Sequence, residues 1–421
     1  MNAKIKNLPF FKSIFQLAAG SIIAQIITII SSPLLTRIYS VENMGIYALL
    51  LSIVSIFGSV INGKYDYAIV ATKKEADIPK LIHSGILFSL FSLILISGGL
   101  TIYLYFNEML WKQLGLWVYL TILMLFINGI VNILNALSNR EKKYKIISEV
   151  YVRRTLVQNL LLLILGFFNF GPIGMMFSQL LGNLTAVKKQ REGIKKKYTL
   201  FKNFNYKSTL LNMFEYKSFP LYTVPANFVN NLSYSILNFF ISSSFGLTSL
   251  GLYSMTYKIL GLPLSLVSVN VSKVFFREAA EEYKDTGTYH KALKKSSLFL
   301  LFIAIPMFIV LFFFSPFLFK LFFGEAWEQS GNYAQILAPL FSVRLIVGSL
   351  TPAFIICGKQ KVELLFQCLF LISTVLSFLL TVFYPVSIEI FLSVYSISNM
   401  LIYLMLFVLI YKLGKEEKIN D

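Results

Sequence analysis

Between Ser13 and Tyr411 the chain is a succession of apolar stretches, each about twenty residues long, separated by short polar segments. A bilayer core about 30 Å thick takes roughly 20 apolar residues per helix, and in lipid every backbone amide must find its partner inside its own segment. Twelve such stretches can be drawn, at residues 13–36, 43–63, 80–106, 114–138, 146–168, 171–187, 219–243, 248–274, 298–320, 332–357, 362–383 and 387–411. The pattern predicts an all-α polytopic membrane protein. Composition agrees, with 56% apolar and 14% charged residues and a mean hydropathy of +0.70, where a soluble domain carries about a quarter charged residues. A water-soluble enzyme is thereby excluded, and the 40 Phe and 23 Tyr exclude low-complexity disorder. The first stretch is too long for a signal-peptide h-region and runs into the second without a cleavage site.

The net charge of +18 would suggest nucleic acid on a soluble chain, so the placement of the charges decides its meaning. With the N-terminus inside, only Arg37, Lys112 and Lys320 fall in outside loops. Arg153, Arg154, Lys258 and Arg344 fall within spans, and every other Lys and Arg falls in an inside loop. That asymmetry is the positive-inside pattern of twelve spans with both termini cytoplasmic, and it accounts for the charge without a nucleic-acid partner. The expected location is the bacterial cytoplasmic membrane.

Residues 39–53, YSVENMGIYALLLSI, align with residues 245–259, FGLTSLGLYSMTYKI, at an offset of 206, which pairs Gly45 with Gly251 and Tyr47 with Tyr253. A weaker echo sets Ser138, Asn139 and Arg140 against Gly358, Lys359 and Gln360. Each half then holds six spans, so the halves insert in one orientation, as parallel repeats of a transporter with substrate held between them. The expected domains are a six-helix bundle over 1–187, a basic cytoplasmic linker over 188–218 and a second six-helix bundle over 219–421.

Charges inside the bilayer are the expensive residues. Lys258 and Arg344 lie near the middle of spans eight and ten, and Arg153 and Arg154 roughly 10 Å above the inner end of span five, counted at about 1.5 Å per residue. The carboxylates within the spans are Glu149, Glu363 and Glu389, all near span ends. Lys258 and Arg344 thus look uncompensated, which suits a cavity for an anion; snorkelling or pairing with carbonyls is the alternative. Asn227, Asn230, Asn231, Tyr234 and Asn238 recur at helical steps in span seven, and Gln16, Ser21, Gln25 and Thr28 line span one. Such stripes contact sugar hydroxyls or join helices to one another, and the sequence leaves both readings open. Pro220, Pro225 and Pro263 favour bends in spans seven and eight.

Chemistry for catalysis is missing. There is no glycine-rich nucleotide loop, His83 and His290 are isolated, and Asp occurs only at 66, 77, 285 and 421, so no Asp-x-Asp pair exists to hold a metal-bound sugar nucleotide. Cys357 and Cys368 have neither disulfide-framework nor zinc spacing. No cofactor or metal is expected.

The stretches Leu34-Leu35-Thr36-Arg37-Ile38-Tyr39-Ser40, Gly45-Ile46-Tyr47-Ala48 and Lys64-Tyr65-Asp66-Tyr67-Ala68-Ile69-Val70, with Leu134-Asn135-Ala136-Leu137, resemble the signature of the Wzx-type polysaccharide flippases. These belong to the multidrug/oligosaccharidyl-lipid/polysaccharide exporter superfamily. The resemblance implies two six-helix bundles forming a V around a cationic cavity that opens alternately to each side. It also implies outward movement of undecaprenyl-pyrophosphate-linked oligosaccharide repeat units, as for an O-antigen, with the pathway's polymerase and glycosyltransferases as candidate partners. Arg37 and Lys64 then join Lys258, Arg344, Arg153 and Arg154 as candidates for the pyrophosphate, while Gln25, Asn227, Asn231 and Tyr234 are candidates for the sugar. Glu389, or Asp66 on the inner side, is the candidate for ion coupling. Lys64 and Asp66, two residues apart, would not face each other on a helix.

Two other readings compete. A cation-coupled drug exporter of the same fold should bury carboxylates rather than cations. A membrane polysaccharide polymerase or ligase should carry a large outside loop, whereas the longest loop here, 188–218, is inside by its charge.

Overall fold

The computed structural model describes residues 2–106, 108–194 and 204–415. The described residues form α-helices α1 (Asn2–Ile38), α2 (Val41–Gly58), α3 (Tyr65–Ala71), α4 (Ile78–Phe106), α5 (Glu108–Leu114), α6 (Leu120–Arg140), α7 (Tyr144–Phe167) and α8 (Gly171–Ile194). After them come α9 (Tyr206–Glu215), α10 (Val224–Pro263), α11 (Val269–Thr286), α12 (His290–Phe323), α13 (Glu328–Leu350), α14 (Ala353–Ile356), α15 (Gln360–Phe383) and α16 (Ile388–Lys415). Two compact units divide the chain, Met1–Ile236 and Leu237–Asp421. Of the basic residues expected inside, Lys195, Lys196, Lys197, Lys202 and Lys418 lie outside the described residues, as does the side chain of Gln16.

Among the described residues, ten helical segments are long and apolar enough to cross a membrane. The twelve expected spans follow from two features. The segment Phe219–Thr286 counts once by length, yet Gly246 interrupts it with φ 83° and ψ 174°, a left-sided conformation that suits glycine. α8 falls short in apolarity because Gln179, Asn183 and three glycines dilute its apolar stretch and its last turns carry Lys188, Lys189, Arg191 and Glu192. It nevertheless runs beside α6 over its length: Asn183 donates to Asn128 at 3.4 Å and Gln190 donates to Asn135 two turns further along both helices. At 24 residues and about 1.5 Å per residue, α8 is long enough to span.

Contact registers give the helix directions within each unit, and they follow span parity. In the first unit α1 and α7 are parallel: Gly20 sits against Ser148, and Gly166 admits Ile38 and Tyr39, where an added Cβ would meet Ile38 Cγ2 at 2.5 Å. Close approach at small residues drives helix association where lipid removes the hydrophobic contribution. Tyr39 Oη then donates to the Leu162 carbonyl at 2.8 Å. α7 and α8 are antiparallel, through Lys189 with Glu149 at 3.1 Å at one end and Gly174 against Leu165 at the other. In the second unit α13 and α16 are parallel, Gln329 donating to Glu389 at 2.7 Å and Ser396 to the Ile336 carbonyl at 3.0 Å. The later part of α10 also runs parallel to α13, with Ser330 donating to the Leu252 carbonyl at 3.0 Å and Ser268 bonded to Ser349 at 2.6 Å.

The internal repeat is visible in the backbone. Ser40 stands in extended conformation between α1 and α2 and its hydroxyl caps the Asn43 amide at 3.2 Å. Gly246, at the repeat offset, makes the corresponding interruption in the second half. The weaker echo falls in another register: left-handed Lys142 (φ 55°) and Gly358 (φ 68°) are followed by matching Schellman bonds, Lys143 to the Ser138 carbonyl and Lys359 to the Phe354 carbonyl, both at 2.8 Å, which pairs Ser138 with Phe354 and not with Gly358.

Candidate functional site

In the second unit the helical steps from Tyr253 to Tyr257 on α10 and from Phe341 to Arg344 on α13 put aromatic and cationic groups on facing sides. The rings of Tyr253 and Tyr257 lie 6.0 Å apart, and Tyr257 meets Phe341 edge-on at 5.5 Å. The partly buried Arg344 places its guanidinium 5.6 Å from the Phe341 ring and donates to Tyr257 Oη at 3.4 Å. Aromatic faces stabilise a desolvated guanidinium without neutralising it, and its planar fork can bind two phosphate oxygens. Lys258, next along α10, is partly buried, and no carboxylate within ion-pair distance of it occurs among the described residues.

The first unit holds a related cluster. Tyr47 on α2 donates to Gln179 of α8 at 3.4 Å and accepts from Gln158 of α7 at 3.5 Å. Arg154, one turn before Gln158, is coupled electrostatically to Tyr47 and Tyr151. Tyr47 and Tyr253 are the tyrosines that the repeat superposes, and each is coupled to an arginine, Arg154 and Arg344 respectively. The arginines themselves come from spans five and ten, so the two halves reach similar chemistry with non-equivalent residues. Tyr47 and Tyr253 were legible as repeat positions. Their pairing with arginine was not, because it depends on which helices pack together.

The other candidates are placed as follows. Arg153 is exposed on α7, about 100° around the helix from Arg154, and Arg37 is exposed in the last turn of α1. Lys64 is buried, holds a left-handed backbone (φ 59°) before α3 and sets its ammonium 4.2 Å over the Tyr67 ring. It therefore precedes the helix on which Asp66 sits. Buried Asp66 is pushed above the usual carboxylate range by desolvation, against the opposing influence of Lys64 and the amides of α3's first turn. Asn227 donates to the Thr223 carbonyl of its own helix at 2.9 Å, and Asn231 bridges to Ser59 at 2.7 Å. Tyr234 is exposed and Gln25 partly buried. Glu389 accepts from Gln329, whose carbonyl in turn accepts from Asn332 at 2.7 Å.

Two π-helical turns, Phe219–Thr223 and Leu264–Ser268, interrupt spans seven and eight beside Pro220, Pro225 and Pro263. A proline removes the amide that would close an ordinary turn, and a widened turn re-satisfies the carbonyls around it. No group of three or more metal-ligating side chains occurs among the described residues.

Residues 34–332 match the family described as polysaccharide biosynthesis protein. No curated protein matches the chain. Among solved structures, the fold is similar to an inward-facing multidrug-resistance MATE transporter of the MOP superfamily, with TM-score 0.71 and 14% identity over 93% of this chain and 96% of the other. It is similar to the lipid II flippase MurJ in an inward closed conformation, with TM-score 0.72 and 15% identity over 94% and 89%. A MOP superfamily transporter from Pyrococcus furiosus, described as having a binding pocket of reverse polarity, follows with TM-score 0.62 and 15% identity over 96% and 97%.

Proposed function

The chain belongs to the polysaccharide biosynthesis protein family, and on that premise we propose that it is a flippase for an anionic lipid-linked saccharide. The substrate is an undecaprenyl-pyrophosphate-linked oligosaccharide repeat unit, moved from the inner to the outer face of the bacterial cytoplasmic membrane for cell-surface polysaccharide synthesis. The observation that carries this reading is the cationic chemistry inside the spans: Arg154 and Arg344 beside repeat-related tyrosines, and Lys258 without a carboxylate among the described residues.

A diphosphate must shed its water before it crosses, and fixed guanidinium and ammonium donors replace that hydration. Arg344 is held by the Phe341 ring face and the Tyr257 hydroxyl. Lys258 and Arg344 are the principal headgroup candidates in the second unit, and Arg154, Arg153, Arg37 and Lys64 are the candidates in the first. Gln25, Asn227, Asn231 and Tyr234 line the saccharide's path. The widened turns beside the prolines supply the local flexibility that alternating access requires. Glu389 and Asp66 are the carboxylates available for ion coupling.

The test is flux of a lipid-linked oligosaccharide in proteoliposomes. Wild type should move it across the membrane, and the Lys258→Ala, Arg344→Ala double variant should not, while remaining folded and inserted. Equal flux by both would remove these cations from the mechanism. Selective transport of lipophilic cations instead would replace the flippase reading with drug export.

A further inference from the structure

α9 turns apolar side chains outward as well as inward. Its inner face is mixed: Met213 packs on the buried cluster of Tyr65, Ile69 and Ile133, and Thr209 and Asn212 are fully buried against Ser84 of α4, whose hydroxyl lies 3.5 Å from the Thr209 carbonyl and from Asn212 Oδ1. Tyr65 Oη donates to the Met213 carbonyl at 3.3 Å, Tyr216 Oη donates to Asp77 at 3.2 Å, and Lys74 donates to Glu215 at 2.8 Å. Those bonds fix the helix's rotation and leave a second apolar side outward. Leu211 is 65% exposed and Phe214 70%, and beyond the turn at Tyr216 and Lys217 exposed apolar side chains resume with Leu221 at 59% and Tyr222 at 75%. A helix bathed in water on that side would carry the opposite pattern.

The occupant of such a face is identified by what borders it. Lys207 lies at the start of this surface and Lys217 beside its middle, both exposed. Leu221 and Tyr222 belong to the segment Phe219–Thr286, which is long and apolar enough to cross the membrane, so the surface adjoins a bilayer-crossing helix. Apolar side chains flanked by lysines, at the foot of a membrane span, match the boundary between acyl chains and negatively charged headgroups.

We propose that α9 and the first turns of the following span form a docking surface for anionic phospholipid of the adjoining leaflet. Leu211 and Phe214 enter the acyl boundary, and Lys207 and Lys217 hold headgroup phosphates. The bonds to Ser84, Tyr65, Asp77 and Lys74 couple that lipid contact to α3 and α4. This proposal stands apart from the choice of transported substrate.

The experiment uses the full chain with Cys357→Ser and Cys368→Ser, carrying one environment-sensitive fluorophore at Phe214→Cys or, as a second site, Leu211→Cys. Nanodiscs of phosphatidylcholine alone are compared with nanodiscs that also contain phosphatidylglycerol, which carries the negative surface charge that attracts lysines. The expected result is blue-shifted emission and quenching by shallow spin-labelled lipid at both sites, stronger with phosphatidylglycerol. The added effect of the anionic lipid should fall at least two-fold in Lys207→Gln, Lys217→Gln. Quenching by aqueous iodide with no effect of spin-labelled lipid at either site overturns the proposal. So does energy transfer between labels on two copies of the chain, which would make the face a protein interface. Identical lipid quenching in both nanodisc types overturns the anionic specificity.

Discussion

Replacing Lys258 by methionine should raise stability and lower transport together. The ammonium is partly buried on a membrane-crossing helix, and no described carboxylate neutralises it. A lysine at the centre of such a helix costs about 2.5–3.5 kcal/mol by insertion scales. Its partial exposure lets water recover roughly half of that, so the isosteric apolar side chain should stabilise the protein by about 1–2 kcal/mol. In a chain of this size that is an increase of about 1–2 °C in Tm. The same ammonium, if it binds substrate, supplies one charge-assisted hydrogen bond worth about 1.5–3 kcal/mol, or roughly 10–100-fold in apparent affinity. The assay pairs thermal unfolding in detergent with flux in proteoliposomes, and Lys258→Arg should preserve flux. A methionine variant that melts lower and transports normally would show Lys258 to be a structural residue with an unrecognised partner and refute the argument.

Other substitutions test the frame that holds the site. Arg140 donates to the carbonyls of Ile69 at 2.8 Å and Thr72 at 2.6 Å and to Glu75 at 3.0 Å; Arg140→Ala should cost about 2–4 kcal/mol in thermal unfolding, with Arg140→Lys in between. Gly331 lies against Pro316 and 2.6 Å, at its missing Cβ, from the Ser315 carbonyl. Gly331→Ala must therefore spread α12 from α13 and should lower stability by about 1–3 kcal/mol, read by melting in detergent. Asp66 has its folded pKa raised by burial, so its contribution to stability is complete below the ordinary aspartate value of about 3.9 and is lost as pH rises through the raised one. The melting temperature of wild type should accordingly fall relative to Asp66→Asn as pH increases from about 4, and parallel profiles would show that Asp66 titrates normally.

Span positions were legible because twenty-residue apolar runs have one solution in a bilayer. The break at residue 246 was legible through the repeat, since it aligns with the Ser40 cap. What the sequence withheld was partnership. Glu149 reads as a carboxylate near a span start, and only the antiparallel packing of α7 on α8 brings Lys189 to it. Asn231 reads equally as sugar ligand or helix contact, and its bond to Ser59 requires knowing that the middle of span seven lies beside the end of α2. Composition made 188–218 a linker, whereas bonds from Ser84 to Thr209 and Asn212 and from Tyr65 to the Met213 carbonyl tie its helical part to α4 and α3. Periodicity reports which face of a helix differs from the other. Which neighbour that face meets is a property of the fold.

The parallel pairing of α1 with α7, and of α13 with α16, bears on how the protein is made. Helices that run in the same direction cannot be joined by a tight hairpin, so their contacts arise between distant parts of the chain: the Tyr39 hydroxyl meets the Leu162 carbonyl 123 residues later, and Ser396 meets Ile336 across 60. Spans leave the translocon in order. α1 therefore waits in lipid, its small-residue face at Gly20 uncovered, while the intervening spans are synthesised and inserted. A nascent chain halted after α6 lacks α7, the helix that covers Gly20 and accepts the Tyr39 hydroxyl.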